Sequence, residues 1–309
     1  MKQTVSVALL VVALVAGASA QQLSSLGSLF DRYTVNPTWA QLPATMPWGA
    51  STSSVAVDGQ GRVIALVRAV PYFRMFNADG SFVRAWGDAG LFHLAHSVHV
   101  APDGAIWATD PDDHVVHKFG PDGKVVLTLG KKGTAGTDAS TDAFNEPNSV
   151  GFGPNGDVFV SDGYVNSRVV QFTAEGRLVR IFGGKKGAGA GELNTPHGVA
   201  VDPQGRVVVA DSGNKRLAIF GPDGTFLKNV AAPSRGGVAA APDGTVYVSD
   251  VNAGAVTVLK GDQIVDVIKV DGRPHGLAVD IRTGDVYTSS TLADRWNVTK
   301  TAVKKTAPR

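Results

Sequence analysis

The chain has 309 residues, of which 43% are hydrophobic, and its formal net charge at pH 7 is +2. This length and composition can bury one large core, and the near balance of basic and acidic residues gives no reason to expect a nucleic-acid partner. Glycine is abundant, at 37 residues, and cysteine is absent. We therefore expect a turn-rich protein whose core is not held by disulfide bonds.

The first 20 residues have the features of a secretory signal peptide. Lys2 supplies the positive start, residues 5–15 form an apolar run too short to span a bilayer, and Ala18-Ser19-Ala20 offers small residues for cleavage. We predict a signal peptide at residues 1–20, a mature chain from Gln21, and a secreted or periplasmic location. We expect this mature chain to be a monomer without a membrane span.

Six related units follow one another from residue 51 to residue 303. The first glycine turn of each unit is its clearest marker, and successive markers are 39 to 52 residues apart. These turns are Gln60-Gly61, Asp103-Gly104, Asn155-Gly156, Gln204-Gly205, Asp243-Gly244 and Thr283-Gly284. Short apolar runs between the turns are typical of β-strands, about four to a unit. The pattern predicts an all-β fold, a six-bladed β-propeller.

The sixth unit ends early, near residues 297–300, and so lacks an outer strand. The N-terminal segment 21–50 contains one stretch, Phe30–Val35, that could form an extended strand. We predict that this stretch pairs with the outer edge of the last blade and closes the ring, because an uncovered edge invites aggregation. The tail at residues 304–309 is predicted to be loose.

Aligned on their first turns, the units share a position at the start of the innermost strand. The residues there are Ser53, His96, Asn148, His197, Gly236 and His275. Histidine occupies alternate units, which in a ring of six lie one third of a turn apart. Three converging imidazoles with one open side are typical of a catalytic zinc site, although imidazole also suits copper, iron and nickel. The alternative is that each histidine packs in the channel or binds water.

The second strand of each unit returns to the face that carries these histidines. In four units it ends in an aspartate, for which we predict a structural role as an acceptor for loop N–H groups: Asp110, Asp162, Asp211 and Asp250. Arg68 and Tyr164 break this pattern in the first and third units, on either side of the unit that carries His96. Both are therefore candidates for a functional role beside the metal.

The repeats resemble NHL repeats, and five segments are similar to one family of enzymes. They are His96-Ser97-Val98, the run from Val158 to Phe172 with Ser161-Asp162-Gly163-Tyr164, Gly191-Glu192-Leu193, Pro196-His197-Gly198 and Pro274-His275-Gly276. Together they resemble the peptidyl-α-hydroxyglycine α-amidating lyase over roughly residues 50–290. That family is a six-bladed propeller that cleaves a carbinolamide C–N bond to give an amide and glyoxylate.

The resemblance implies a role for each candidate residue. A zinc ion would be held by His96, His197 and His275, the same histidines that the register selects. Tyr164 would be the catalytic base, with a pKa lowered by zinc and by Arg68, and Arg68 would bind the substrate carboxylate.

The chain departs from that family at three positions. A second active-site arginine falls on Ser212, the aspartate that binds a structural calcium falls on Gly276, and a methionine near the zinc is replaced by Arg273. The resemblance therefore predicts zinc and leaves calcium doubtful. Arg273 becomes a candidate for binding the substrate in place of the lost arginine.

These features leave three hypotheses for a protein that takes a small-molecule or peptide substrate. The first is a secreted zinc-dependent lyase of the amidating type. The second is a metal-dependent lactonase or hydrolase on the same propeller, which the three histidines argue against because such propellers usually use carboxylate ligands. The third is a non-catalytic binding propeller, which predicts no bound metal.

Overall fold

The computed structural model describes residues 32–49, 51–270, 272–291 and 298–303. These residues form six antiparallel sheets of four strands each, which confirms the predicted six-bladed propeller. No helix in the described ranges is long and apolar enough to cross a bilayer. The predicted signal peptide and the tail at 304–309 lie outside the described residues, and the proposed domain boundaries stay predictions.

The strands follow one another from the axis outward in each of the first three blades. Blade one has β2 (Thr52–Val57), β3 (Val63–Val67), β4 (Phe73–Phe76) and β5 (Phe82–Trp86). Blade two has β6 (Ser97–Val100), β7 (Ile106–Asp110), β8 (Val115–Phe119) and β9 (Val125–Gly130). Blade three has β10 (Pro147–Phe152), β11 (Val158–Asp162), β12 (Arg168–Phe172) and β13 (Leu178–Gly183).

Blades four and five keep this order, and blade six takes its outer strand from the start of the described chain. Blade four has β14 (Pro196–Val201), β15 (Val207–Asp211), β16 (Arg216–Phe220) and β17 (Phe226–Ala231), with a 3₁₀ turn at Ser212–Asn214. Blade five has β18 (Val238–Ala240), β19 (Thr245–Asp250), β20 (Ala255–Lys260) and β21 (Gln263–Lys269). Blade six has β22 (Pro274–Asp280), β23 (Asp285–Ser290), β24 (Val298–Val303) and β1 (Tyr33–Asn36).

The core lies between the blades. The second strands β3, β11 and β15 are buried at every position, because a neighbouring blade covers each of their two faces. Apolar side chains therefore occur on both faces of these strands, without the alternation of a half-exposed strand. Aromatic rings join neighbouring blades, as where Phe73 of blade one meets Phe119 of blade two with centroids 5.1 Å apart.

The ring closes through strand β1. It pairs antiparallel with β24, and Tyr33 lies opposite Val303. The Tyr33 hydroxyl also donates to Asp266 in the outer strand of blade five, at 2.5 Å. The N-terminal segment thus supplies the outer strand of blade six, as predicted, and contacts the adjacent blade as well. Residues 30 and 31 of the predicted strand lie outside the described residues.

A chain that begins at residue 37 should be markedly less stable than one that begins at residue 21. The shorter chain lacks the β1–β24 ladder and the Tyr33–Asp266 hydrogen bond, so the edge of β24 is uncovered. The two chains should be compared by their urea unfolding midpoints, which we expect to be clearly lower for the shorter chain. Equal midpoints would show that the ring does not depend on β1 for closure.

Candidate metal centre

The three predicted histidine ligands lie together at the propeller axis. His96 immediately precedes β6, and His197 and His275 are the second residues of β14 and β22. One ring nitrogen from each lies within 4.8 Å of the others. Their ring centroids are 4.9 to 5.3 Å apart. The register that placed histidine in alternate blades therefore brings the side chains to one point.

One type of hydrogen bond orients all three imidazoles. Nδ1 of each histidine bonds to the backbone carbonyl of the next blade, at the residue that occupies the same register position there. The pairs are His96 with Asn148 at 2.8 Å, His197 with Gly236 at 3.0 Å, and His275 with Ser53 at 2.7 Å. A carbonyl oxygen can only accept, so Nδ1 carries the hydrogen and Nε2 keeps a free lone pair. Histidines that bind metals commonly donate their other N–H group in this way.

Burial keeps the three imidazoles neutral. It lowers the pKa of His197 to about 3 and that of His275 to about 4, with repulsion from nearby positive charge adding to the effect. Burial, followed by repulsion from the other two histidines, holds the pKa of His96 well below its usual range. Nε2 of each neutral imidazole therefore carries no proton of its own that a metal ion would have to displace at neutral pH.

This arrangement fits a divalent transition metal such as zinc. Catalytic zinc sites usually have three protein ligands and an open fourth position, and three neutral imidazoles form one such ligand set. Two nitrogens bound to one zinc ion would be about 3.3 Å apart, and the separations within 4.8 Å are compatible with that distance. Imidazole ligands suit zinc, copper, iron and nickel, so the histidines alone do not select one of these metals.

We expect zinc affinity to stay nearly constant between pH 7 and pH 5.5. Protons compete with the metal only near the depressed pKa values, of which those of His197 and His275 are about 3 and 4. Three imidazoles of ordinary pKa would instead lose about a thousandfold in affinity by pH 5.5. Competition titrations with a chelator of known affinity at pH 7.0, 6.0 and 5.5 distinguish the two cases. A steep loss beginning near pH 6.5 would contradict the depressed pKa values.

Tyr164 lies between two of the histidines. It follows β11 in blade three, and its hydroxyl is 2.7 Å from Nε2 of His96 and 3.2 Å from Nε2 of His197. The side chain is 39% exposed, so the ring also faces the solvent. Burial of the hydroxyl raises the pKa of Tyr164, and the positive charge of Arg68 opposes this rise. Arg68 thus acts in the predicted direction, but burial is the larger of the two effects.

Arg68 borders the site from blade one. It follows β3, and its Nε donates to the carbonyl of Ala95, the residue before His96, at 3.2 Å. Its charge also acts on His96, His275 and Tyr164. Within the described ranges no carboxylate lies within 4.0 Å of the guanidinium. The remaining N–H groups are therefore available to an anionic ligand.

The three positions where the family pattern fails have identifiable surroundings. Ser212 donates its hydroxyl to the carbonyl of Ser234 at 2.7 Å. Arg273 is exposed, and its Nε donates to the carbonyl of Val251 at 3.4 Å. At Gly276 a Cβ atom would lie 2.6 Å from Cα of Ser54, so the backbone there is too close for a side chain. This position cannot supply the calcium-binding carboxylate, and the residues present do not fit that ion.

One charged residue at the site, Arg235, was not predicted from the sequence. Arg235 directly precedes Gly236, whose carbonyl orients His197. Its positive charge acts on His197, His275 and Tyr164. The register could have indicated it, because it is the neighbour of the histidine position in blade five.

The recurring aspartates fix the segments that lead into the innermost strands. Each accepts a hydrogen bond from a backbone N–H group one to three residues before the histidine position of its own blade. The bonds are Leu94 to Asp110 at 3.0 Å, Asn145 to Asp162 at 2.8 Å, Asn194 to Asp211 at 2.6 Å and Arg235 to Asp250 at 3.0 Å. The predicted structural role of these carboxylates is confirmed, and they hold the residues of the site in place.

Comparison with known proteins places the chain in a family. The NHL repeat family matches residues 193–220. NHL repeat-containing protein 3 of Mus musculus is 30% identical over 265 residues, which are 77% of this chain and 76% of that protein. The probable peptidyl-α-hydroxyglycine α-amidating lyase of Caenorhabditis elegans is 36% identical over 135 residues, which are 43% of this chain and 38% of that protein.

A solved structure supports the fold alone. A gluconolactonase of Xanthomonas campestris superposes with a TM-score of 0.67 at 14% identity, over 91% of this chain and 93% of that one. Such low identity carries no information on activity. Together with the six blades and the matching repeat, the sequence relatives show that the chain belongs to the NHL-repeat propeller family and is a relative of the amidating lyases.

Proposed function

We propose that the protein is a metal-dependent lyase that cleaves the C–N bond of an α-hydroxyglycine derivative to give an amide and glyoxylate. The observation that carries this proposal is the Tyr164 hydroxyl, which lies at hydrogen-bonding distance from two of three converging histidines. This contact supports a role for Tyr164 as an acid–base group beside a metal ion held by the histidines. The sequence similarity to amidating lyases supports the same chemistry.

The three histidines would hold the metal through Nε2, since Nδ1 of each is committed to a backbone carbonyl. When bound there, zinc would act as a Lewis acid that makes the hydroxyl group of the substrate more acidic. The carbonyls keep the imidazoles oriented. Burial keeps them neutral.

Tyr164 would carry the proton. Its phenolate oxygen takes the proton from the substrate hydroxyl, the C–O bond becomes the C=O bond of glyoxylate, and the C–N bond breaks. The phenol then returns the proton to the departing amide nitrogen, so that atoms and charge balance. Burial raises the pKa of Tyr164, and the positive charge of Arg68 opposes that rise and so favours the phenolate.

Arg68 would also bind the substrate carboxylate. Its Nε is anchored on the Ala95 carbonyl, which leaves the two terminal nitrogens for a paired contact with the two carboxylate oxygens. An anchored guanidinium loses less side-chain freedom on binding than a free one. The carboxylate, and with it the reacting carbon, would be fixed relative to Tyr164.

A parallel assay with two substrates tests this proposal. Zinc-loaded protein is given α-hydroxyhippurate in one arm and glucono-δ-lactone in the other. We expect equimolar benzamide and glyoxylate in the first arm, above the buffer rate, and no accelerated hydrolysis in the second. Lactone hydrolysis without glyoxylate would favour the lactonase, and inactivity in both arms would favour a binding propeller.

A further inference from the structure

Side chains from the odd blades alternate with the histidines around the site. Tyr164 of blade three touches both His96 and His197, the histidines of the blades on either side of it. Arg68 of blade one bonds to the residue before His96, and Ser53 of the same blade orients His275. One odd blade thus lies between each two histidines: blade three between His96 and His197, and blade one between His275 and His96. Blade five lies between the remaining two, His197 and His275.

Arg235 of blade five lies between His197 and His275. The two residues after it connect the histidines on either side, since the Gly236 carbonyl accepts from His197 and the Gly237 N–H group donates to the carbonyl of His275 at 2.9 Å. The backbone of Arg235 is fixed at both ends. Its N–H group donates to Asp250 at 3.0 Å, and its carbonyl accepts from Val251 at 3.2 Å.

The guanidinium of Arg235 is exposed and has no hydrogen-bond acceptor or carboxylate among the described residues. The arginines of the preceding blades differ in this respect. Arg168 and Arg216 bind Asp162 and Asp211, each at 2.7 or 2.8 Å, and serve the structure of their blades. The charge of Arg235 is therefore free for a ligand.

Ser212, where the chain departs from the family pattern, contacts the segment that carries Arg235. Its hydroxyl donates to the carbonyl of Ser234, the buried residue directly before Arg235. The blade-four position that holds an arginine in the amidating lyases thus holds a short side chain that supports the start of blade five. Blade four of this chain therefore lacks the arginine of the amidating lyases, whereas blade five has Arg235.

Arg68 and Arg235 both act on His275, which lies between their two blades. The Tyr164 hydroxyl lies within hydrogen-bonding distance of Nε2 of His96 and His197, and no such contact joins it to Nε2 of His275. The site therefore has a tyrosine side and a cationic side. An anionic group next to His275 would lie between two guanidinium groups, neither of which has a carboxylate within 4.0 Å in the described part of the chain.

We propose that Arg235 is a second carboxylate-binding residue, which together with Arg68 holds the substrate carboxylate on the His275 side of the site. This inference rests on the proposed function and assigns the orientation of the substrate. With the carboxylate between the two arginines, the hydroxyl and the amide nitrogen face Tyr164. Arg235, and not Arg273, then replaces the arginine lost at Ser212.

Calorimetric titration with hippurate tests the proposal without catalysis, because hippurate has the carboxylate and lacks the reacting hydroxyl. Arg235→Gln should weaken hippurate binding by about tenfold to a hundredfold, as the loss of a hydrogen-bonded charge predicts. Hippuramide, which has no carboxylate, should bind both proteins equally. Arg235→Lys should recover part of the affinity, since it restores the charge without the paired geometry.

Two further variants make the result specific. Arg177→Gln removes an exposed arginine from the turn on the opposite face and should leave hippurate binding unchanged. Arg273→Gln tests the earlier candidate in the same titration. Unchanged hippurate affinity in Arg235→Gln, a loss confined to Arg273→Gln, or no hippurate binding to the unsubstituted protein would each overturn the proposal. Selective loss in Arg235→Gln without any glyoxylate release would keep the carboxylate site and reject the lyase.

Discussion

Tyr164→Phe should lower the rate of glyoxylate release by about 10²–10⁴-fold, the usual contribution of a general base, and should leave zinc binding intact. The substitution removes only the hydroxyl that contacts Nε2 of His96 and His197. The histidines keep their orientation, because backbone carbonyls hold Nδ1 of each. Metal content and turnover of the same preparation are the measurements required.

Tyr287→Phe is the matched control. Tyr287 is buried in β23, against Trp39 at a centroid distance of 5.1 Å, and its hydroxyl has no role in the site. We expect it to retain activity. If Tyr164→Phe kept full turnover with zinc bound, Tyr164 would not be the base, and the proton would have to move through another group.

His197→Ala should abolish both metal binding and turnover. It removes one of three nitrogen ligands, and we expect zinc affinity to fall by more than about a hundredfold, beyond the loss seen when only a supporting contact is removed. In the unsubstituted protein, zinc at 100 times its dissociation constant should add about 2.7 kcal/mol to the free energy of unfolding. The variant should show no such stabilisation at the same zinc concentration.

His99→Gln provides the comparison for that experiment. His99 lies in β6, three residues after His96, with Nε2 3.0 Å from the Ser149 hydroxyl, and is not one of the three converging histidines. It should keep zinc-dependent stabilisation. Equal stabilisation of His197→Ala by zinc would mean that the metal binds elsewhere in the chain.

The sequence was sufficient to predict the fold and the group of three histidines, because the repeats impose a common register. Equivalent residues of successive blades lie at equivalent distances from the axis, so a histidine in every second unit indicates convergence. The closing strand was also predictable, since the last unit lacked one strand and β1 supplies it. The predictions of the fold and of the closing strand used only the positions of turns and apolar runs, and the prediction of the metal ligands also used the positions of the histidines.

Other features of the site could not be predicted from the repeat pattern. The acceptors that orient the histidines are backbone carbonyls, so Asn148, Gly236 and Ser53 serve alike although their side chains differ. Arg235 is the residue directly before the aligned histidine position of blade five. A comparison of the residues at that aligned position therefore does not include it. The rise in the pKa of Tyr164 depends on burial, which becomes visible only when the blades are assembled.

A zinc titration of the chelator-treated protein, with glyoxylate release as the readout, tests the proposed metal centre most directly. We expect the initial rate with α-hydroxyhippurate to rise in proportion to added zinc and to stop rising at one zinc ion per chain, because the three histidines form one site. A rate that does not respond to zinc, or that continues to rise well beyond one equivalent, would contradict a single catalytic metal held by His96, His197 and His275.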